Sequence, residues 1–312
     1  MKEITVTKNE AGQRADKLLA KYLKEAPKSF FYKMMRKKNI VLNGKKMQGN
    51  EILQVGDELK LFLSDETVEK FQGSVPGEAG QGKRGETLPD PKKLPVLYED
   101  EDIVLLNKPV GMLSQKAQPQ DISAVEYLLA HLLENGSITR EQLRSFRPSV
   151  CNRLDRNTTG VVLFSLDKQT QPAFDQMVID HAFEKHYLAL AEGKIDWNEK
   201  LIDKPIARDR HDSRKMRVGA SGKPSQTRVK VLKRLKSRRG LPTRSYIDVE
   251  LLTGRKHQIR VHLASERHPL VGDDLYGTPR PCGLMLHAHS VSFTHPVTGE
   301  HIHIEAPCPW EP

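Results

Sequence analysis

The sequence predicts an α+β protein: a mixed, mostly antiparallel central sheet with flanking helices, preceded by a small basic α/β module. Three observations carry this. Short apolar runs of strand type outnumber helical patterns and often follow one another directly, as Val96-Leu97-Tyr98 and Ile103-Val104-Leu105-Leu106 do about the acidic turn Glu99 to Asp102. The strict strand–helix alternation of a doubly wound sheet is missing. A stretch from Gln72 to Pro91, rich in Gly and Pro and nearly free of apolar residues, divides the chain.

At 312 residues there is room for two domains, and 37% apolar against 29% charged residues suits a folded chain with a real core. No apolar run approaches the ~20 residues that span a bilayer, and no apolar h-region follows Met1, so a soluble protein without a leader is expected. Three cysteines, Cys151, Cys282 and Cys308, make no disulfide framework, which points to the cytoplasm. The net charge of +10 is local. Residues 1–65 hold 14 Lys and Arg against 8 Asp and Glu, and residues 204–244 hold 15 against 2, so the rest of the chain is net acidic. Two basic zones on an acidic body suit a polyanion gripped at two places, nucleic acid before anionic lipid or a merely solvated face.

The elements follow in order. Leu18, Leu19, Tyr22 and Leu23 share one face of a helix. Ser29 is placed as N-cap of a second helix. There Phe30, Phe31, Met34 and Met35 form an apolar stripe, with Lys33, Arg36, Lys37 and Lys38 on its outside and end. Ile40-Val41-Leu42 is a short strand ending in the Asn43-Gly44 turn. Another turn, Val55 to Glu58, leads to a strand with Leu59, Leu61 and Leu63 on one face. The boundaries read 1–70 for the module, 71–93 for a flexible linker and 94–312 for the larger domain. In the last, Val125, Leu128, Leu129, Leu132 and Leu133 mark an amphipathic helix. Val161 to Leu166 marks a buried strand, Phe174 and Met177 a helix, and Lys185 to Ala191 and Ser245 to Leu252 two further strands.

The stretch Cys151-Asn152-Arg153-Leu154-Asp155-Arg156-Asn157-Thr158-Thr159-Gly160 stands out. It sets one acid, Asp155, between Arg153 and Arg156 in a polar loop that feeds the 161–166 strand. Such a loop holds a side chain at the mouth of a sheet, although a turn with a surface ion pair reads the same way. Arg153 to Gly160 resembles the catalytic motif of the large-subunit ribosomal RNA pseudouridine synthases. This chain has Asn152 where the family usually has His, and Asn157-Thr158-Thr159 where it often has Asp-Thr-Ser. Leu252-Thr253-Gly254-Arg255-Lys256-His257-Gln258-Ile259-Arg260-Val261-His262, Phe183 to Ala189, Asn107-Lys108-Pro109-Val110-Gly111, and Leu286-His287-Ala288 with His295 to Gly299 resemble further family segments. Two helices, a basic end and a short hairpin in residues 1–70, with Arg14 to Leu18 and Ile40 to Gly44, resemble the alpha-L RNA-binding module.

The resemblance implies an enzyme that isomerises uridine to pseudouridine in large-subunit ribosomal RNA. Asp155 is then the catalytic carboxylate, Arg260 its partner, Ile259 a neighbour of the base and Tyr187 the ring against it. Arg153 enters the space left by the flipped nucleotide, and Arg156, Arg255 and Lys108 join it in contacting RNA. A carboxylate buried around bound RNA needs a fixed cation nearby. No atom enters or leaves in this isomerisation, so no cofactor is expected. No metal is expected either: His287, His289, His301 and His303 alternate, but without a Cys-x-x-Cys or His-Glu-x-x-His spacing. The expected partner is large-subunit ribosomal RNA, not a membrane, and the expected state a monomer. A non-catalytic RNA chaperone or ribosome assembly factor is the alternative. Nucleosidic hydrolysis is a third reading, though the paired carboxylates of glycoside hydrolases are not evident.

Overall fold

The computed structural model describes residues 1–73, 75, 88–168, 170–237 and 242–311. Most of the predicted linker therefore lies outside the described residues. By packing, the chain divides into two units: Met1–Pro91 with Glu126–Ser149 and Leu166–Gln169, and Lys92–Val125 with Val150–Ser165 and Thr170–Pro312.

In the first unit, strand β1 (Lys2–Thr5) is followed by helices α1 (Ala15–Tyr22) and α2 (Lys28–Arg36), strands β2 (Ile40–Leu42), β3 (Lys45–Lys46) and β4 (Glu58–Leu61), and helix α3 (Asp65–Phe71). The four strands form a sheet in the order β1-β4-β2-β3. Asn43 and Gly44 both have positive φ, 50° and 72°, as a two-residue turn between β2 and β3 requires. Leu18, Leu19, Tyr22, Leu23, Phe31 and Met35 are buried together against Ile40, Leu59 and Leu61. Lys33, Arg36, Lys37 and Lys38 are exposed. The cap of α2 differs from expectation: Pro27, with φ −68° and ψ 147°, precedes the helix, and no side chain caps it. The proline ring fixes φ at a value that leads into a helix, so the helix starts ahead of Ser29. Helix α4 (Ala124–Glu134) spans the boundary between the units, and α5 (Gln142–Ser145) belongs to the first. There Ser145 donates to Glu10, and Arg144 donates to the carbonyls of Gln72 (3.3 Å) and Gly73 (3.0 Å).

The second unit is built on a sheet of ten strands. In chain order they are β5 (Val96–Glu99), β6 (Ile103–Lys108), β7 (Ser149–Val150), β8 (Thr159–Ser165), β9 (Glu184–Glu192), β10 (Glu199–Asp203), β13 (Gln226–Leu235), β14 (Arg244–Leu251), β15 (Leu286–Thr294) and β16 (His301–Glu305). The spatial order is β10-β13-β14-β9-β15-β8-β6-β5, with β16 beside β15 and β7 beside β8. A separate hairpin joins β11 (Ile206–Arg208) and β12 (Met216–Val218), and helices α6 (Thr170–Ile179) and α7 (Gln258–Ser265) complete the unit. The expected mixed, mostly antiparallel sheet is present: among the described strands β8 and β15 pair in parallel, whereas β10–β13, β13–β14, β14–β9, β9–β15, β15–β16, β8–β6 and β6–β5 pair antiparallel. Phe174 of α6, Phe183 and Phe293 pack edge to face with centroids 5.2–6.0 Å apart, over Val161 and Leu163 of β8. Such aromatic clusters bury large areas and fix orientation. No described helix is long and apolar enough to cross a membrane.

Gly160 explains how the acid-bearing loop enters the sheet. Its φ is +110°, and a Cβ there would lie 2.0 Å from the Ala288 carbonyl oxygen of β15. Only glycine lets the two strands approach this closely directly after the loop. Gly160→Ala is therefore expected to cost at least about 3 kcal/mol, combining backbone strain with overpacking. Chemical denaturation followed by intrinsic fluorescence checks this; an unchanged midpoint would show that the β8–β15 contact is not needed.

Candidate active site

Asp155 lies on the wall of a cavity of about 980 Å³ lined by Arg153, Tyr187, Arg255, His257, Ile259 and Arg260 among others. The residues come from the 151–158 loop, from β9, and from the first turn of α7 with the segment just ahead of it, which the sheet order brings to one place. Asp155 is about one-third exposed toward the cavity, while Arg260 is 4% exposed. One carboxylate oxygen, Oδ2, is 3.7 Å from Arg260 Nη1 and 3.7 Å from His257 Nε2. Two donors thus converge on one oxygen at just over hydrogen-bonding distance.

Arg260 does not pair first with Asp155. Its Nε and Nη2 donate to both oxygens of Asp273, at 2.8 and 2.6 Å, and Nη2 also donates to Asp274 at 3.0 Å. The Tyr276 ring lies under the guanidinium, 5.2 Å from Cζ to centroid. Asp273 is fully buried and also accepts from the amides of Leu275 and Tyr276. This bidentate fork holds the guanidinium plane so that its remaining terminal nitrogen faces Asp155. Burial opposes the charge on Arg260, but Asp273 and then Asp155 outweigh it and raise its pKa. The pKa of Asp273 ends below its ordinary value although burial pushes it up, because Arg260 and two amides stabilise the carboxylate.

Tyr187 of β9 is buried, between Val249 of β14 and Ala288 of β15 in the sheet. Burial, and then the nearby Asp155 carboxylate, push its phenol well above the usual range. It therefore presents a neutral ring and hydroxyl at neutral pH. Ile259 is buried at the cavity wall. Helix α7 begins at Gln258, so His257 stands just ahead of the helix rather than within it, with a left-handed backbone at φ 56° and ψ 20°.

The model of the RNA pseudouridylate synthases matches residues 102–265. The chain belongs to this family. It is 32% identical to ribosomal large subunit pseudouridine synthase D of Neisseria meningitidis serogroup A, over 98% of this chain and 78% of that protein. It is 31% identical to ribosomal large subunit pseudouridine synthase C of Escherichia coli K12, over 98% of this chain and 93% of that one. Among solved structures, human RNA pseudouridylate synthase domain containing 1 is 28% identical, with a TM-score of 0.57 over 72% of this chain and 87% of the human one. The chain is thus an isomerase with the pseudouridine synthase fold.

In this synthase the loop bearing Asp155 is stapled at alternate residues. Asn152 donates to the Val161 carbonyl (3.1 Å) and accepts from the Leu163 amide (2.6 Å), so its amide serves β8 as a neighbouring strand would. The Ser114 hydroxyl donates to the Leu154 carbonyl and accepts from the Leu154 amide, both at 3.0 Å. Arg156 is exposed, and its Nε donates to the Gly111 carbonyl at 2.9 Å, while the Gly111 amide donates back to the Arg156 carbonyl. Lys108, expected among the RNA-contacting cations, is fully buried instead. Its ammonium donates to the carbonyls of Pro109, Met112 and Arg156 at 3.0–3.3 Å. Burial pulls its pKa down to about 8, against the pull of Asp155. It ties the 109–112 turn to the Asp155 loop, which is what an enclosed ammonium with three acceptors does.

Arg153 and Arg255 are exposed at the cavity, and Arg255 also donates to the Pro224 carbonyl at 3.3 Å. Sequence reasoning did not single out Ser114, Lys185, Asp273 or Tyr276. Lys185 lines the cavity, its ammonium 5.1 Å from the Phe183 ring and its pKa drawn down to about 8 by burial. For Asp273 and Tyr276 a signal existed: Gly272-Asp273-Asp274-Leu275-Tyr276-Gly277 sets two acids and an aromatic between glycines. His287 shares a hydrogen bond with Thr159 (2.8 Å) and with the Ala306 carbonyl (3.1 Å), and His303 with Ser292 and Glu305. Asp100, Asp102 and His295 gather closely enough to suggest a metal. However, His295 Nδ1 accepts from the amides of Val297 and Thr298. Nε2 therefore carries the ring proton; it lies 3.3 Å from Asp100 without a hydrogen bond to it, and a protonated nitrogen there disfavours a ligand role.

Arg260→Met should leave Asp273 buried without its countercharge and destabilise the protein by roughly 3–5 kcal/mol. Arg260→Met combined with Asp273→Leu should regain most of that stability while staying inactive. Because the pKa of Asp273 is depressed in the folded state, its contribution is present above the unfolded carboxylate pKa and is lost as pH falls through the folded one. The double variant should lack that part of the acid loss. Urea midpoints from pH 3 to 7 read both effects; equal midpoints for wild type and Arg260→Met would show that the pair is not stabilising.

Proposed function

We propose that this synthase isomerises uridines in large-subunit ribosomal RNA, with Asp155 acting at the ribose of the target nucleotide. One observation carries the assignment of the acid: Arg260 and His257 converge on a single oxygen of Asp155 beside Tyr187 and Ile259 in one cavity. The similarity to large-subunit synthases from two bacteria supports the class of RNA. The bond between C1′ of the ribose and N1 of uracil breaks, the base turns, and a bond forms between C1′ and C5. The proton on C5 then leaves and N1 takes one up, so atoms balance without a co-reactant.

In this reading the cavity takes the extracted uridine. The neutral Tyr187 ring stacks on the base from one side and Ile259 closes the other. A tyrosine with so high a pKa does not work as a phenolate, so its hydroxyl serves as a hydrogen-bond donor or as a relay for the C5 proton. Arg153 fills the gap left in the RNA, where a planar cation both stacks and binds phosphate. Arg156 and Arg255 meet the backbone at the rim. Residues 1–70 act as an RNA-holding module ahead of the catalytic domain, and the protein works as a cytoplasmic monomer.

Asp155→Asn keeps volume and removes the charge. It should abolish conversion while RNA affinity stays within a few-fold, since loss of a central catalytic group costs orders of magnitude. Chemical labelling of pseudouridine in a large-subunit RNA transcript reads the outcome. Activity above roughly one per cent of wild type would remove Asp155 from the central role. No conversion by the wild type would favour the RNA-chaperone alternative, and abasic RNA would favour hydrolysis. Replacing the exposed Lys33, Arg36, Lys37 and Lys38 by Gln should lower the slope of log affinity against log salt, because fewer counterions are released. An unchanged slope would remove that end of α2 from the RNA footprint.

A further inference from the structure

We propose that His257 and Tyr276 are positioning residues for Asp155: a neutral imidazole, held as the Nε2–H tautomer by the Tyr276 hydroxyl, aims its proton at Asp155 Oδ2. This rests on the reading of Asp155 given above and extends it to how the carboxylate is oriented. Tyr276 Oη lies 2.7 Å from the Met216 amide, which can only donate to it. The same oxygen lies 2.8 Å from His257 Nδ1. A phenol has one proton to give. With the amide already donating to the oxygen, the arrangement that uses every group has the hydroxyl donate to Nδ1. Nδ1 is then the acceptor nitrogen, and the ring proton sits on Nε2, the atom 3.7 Å from Asp155.

Three further observations agree. His257 is 8% exposed, and its pKa is lowered, first by burial and then by the charges of Arg260 and Lys256; Asp155 and Asp273 oppose this without reversing it. The imidazole is thus neutral at pH 7, as a ring accepting at Nδ1 requires. Tyr276 serves both donors of the site, with its ring face under Arg260 and its hydroxyl on His257. Finally, Met216 begins β12, in the hairpin that carries Arg208, Arg210, Arg214, Lys215 and Arg217. Lys256 donates to the Arg214 carbonyl of the same hairpin at 3.3 Å. The seating of this basic hairpin therefore fixes the tautomer that faces the acid.

The first measurement is made on free protein labelled with ¹⁵N-histidine at pH 7.5, with His257 signals identified by their loss in His257→Gln. A long-range ¹H–¹⁵N spectrum is expected to show His257 protonated at Nε2 in the wild type and as a tautomer mixture in Tyr276→Phe, which keeps the ring beneath Arg260. Protonation at Nδ1 in the wild type overturns the proposal, as does an unchanged tautomer in Tyr276→Phe. The second measurement is single-turnover conversion of a large-subunit RNA transcript at saturating enzyme. Tyr276→Phe should slow it about tenfold, and His257→Leu further still, while His257→Gln, which keeps an N–H near the Nε2 position, should stay within about threefold of wild type. RNA affinity should not move. Equal loss in Gln and Leu overturns the positioning role, and so does a loss that appears only as weaker RNA binding. The tautomer is read without RNA, so a failure of the proposed substrate shows separately, as absence of conversion by the wild type.

Discussion

The buried fork between Arg260 and Asp273 is the constraint on which the site depends. A guanidinium at 4% exposure needs its charge and its donors answered, and here Asp273, Asp274 and the face of Tyr276 answer all but one terminal nitrogen. That nitrogen is left facing Asp155. Gly272 makes the fork possible. Its φ is +74°, and a Cβ would fall 1.8 Å from the Gly283 carbonyl oxygen, so a tight crossing of two loops brings Asp273 under α7. The cation that serves the acid is therefore positioned by a segment more than a hundred residues away from the motif.

The loop carrying the acid is held in place by a different means. It has no regular structure of its own, yet its polar backbone is answered by Asn152, Ser114, Gly111 and Lys108. Each staple matches donor to acceptor, so the loop satisfies its peptide groups without joining a ladder. This accounts for Asn152. An amide offers one donor and one acceptor side by side, which is what the edge of β8 presents in complement at Val161 and Leu163. The departure from the usual histidine falls on a residue that holds the loop, not on one that meets the acid.

Much of this was legible in the chain. Asp155 could be picked out because a charged loop gives way abruptly to the apolar run after Gly160, and its identity as an acid follows from the motif. The stripe of Phe31 and Met35, the Asn43-Gly44 turn and the alternation in β14 are local patterns, set by helix and strand periodicity within a few residues, and they appear where periodicity places them. Arg260 was also legible as a cation near the acid.

What the sequence by itself determined is the mixed-sheet fold class, many of the elements and the motif that carries Asp155. The tertiary structure alone decided which charges meet. Lys108 and Arg255 look alike in a list of cations, yet one is enclosed by three carbonyls and the other stands at the rim. Asp273 and Asp274 are neighbours, yet one is fully buried and the other exposed. The sheet order sets these outcomes. β9 lies between β14 and β15, and β15 returns to pair with β8 across more than a hundred residues of chain. Burial and ion pairing depend on distances in space, and no local periodicity encodes a neighbour that distant.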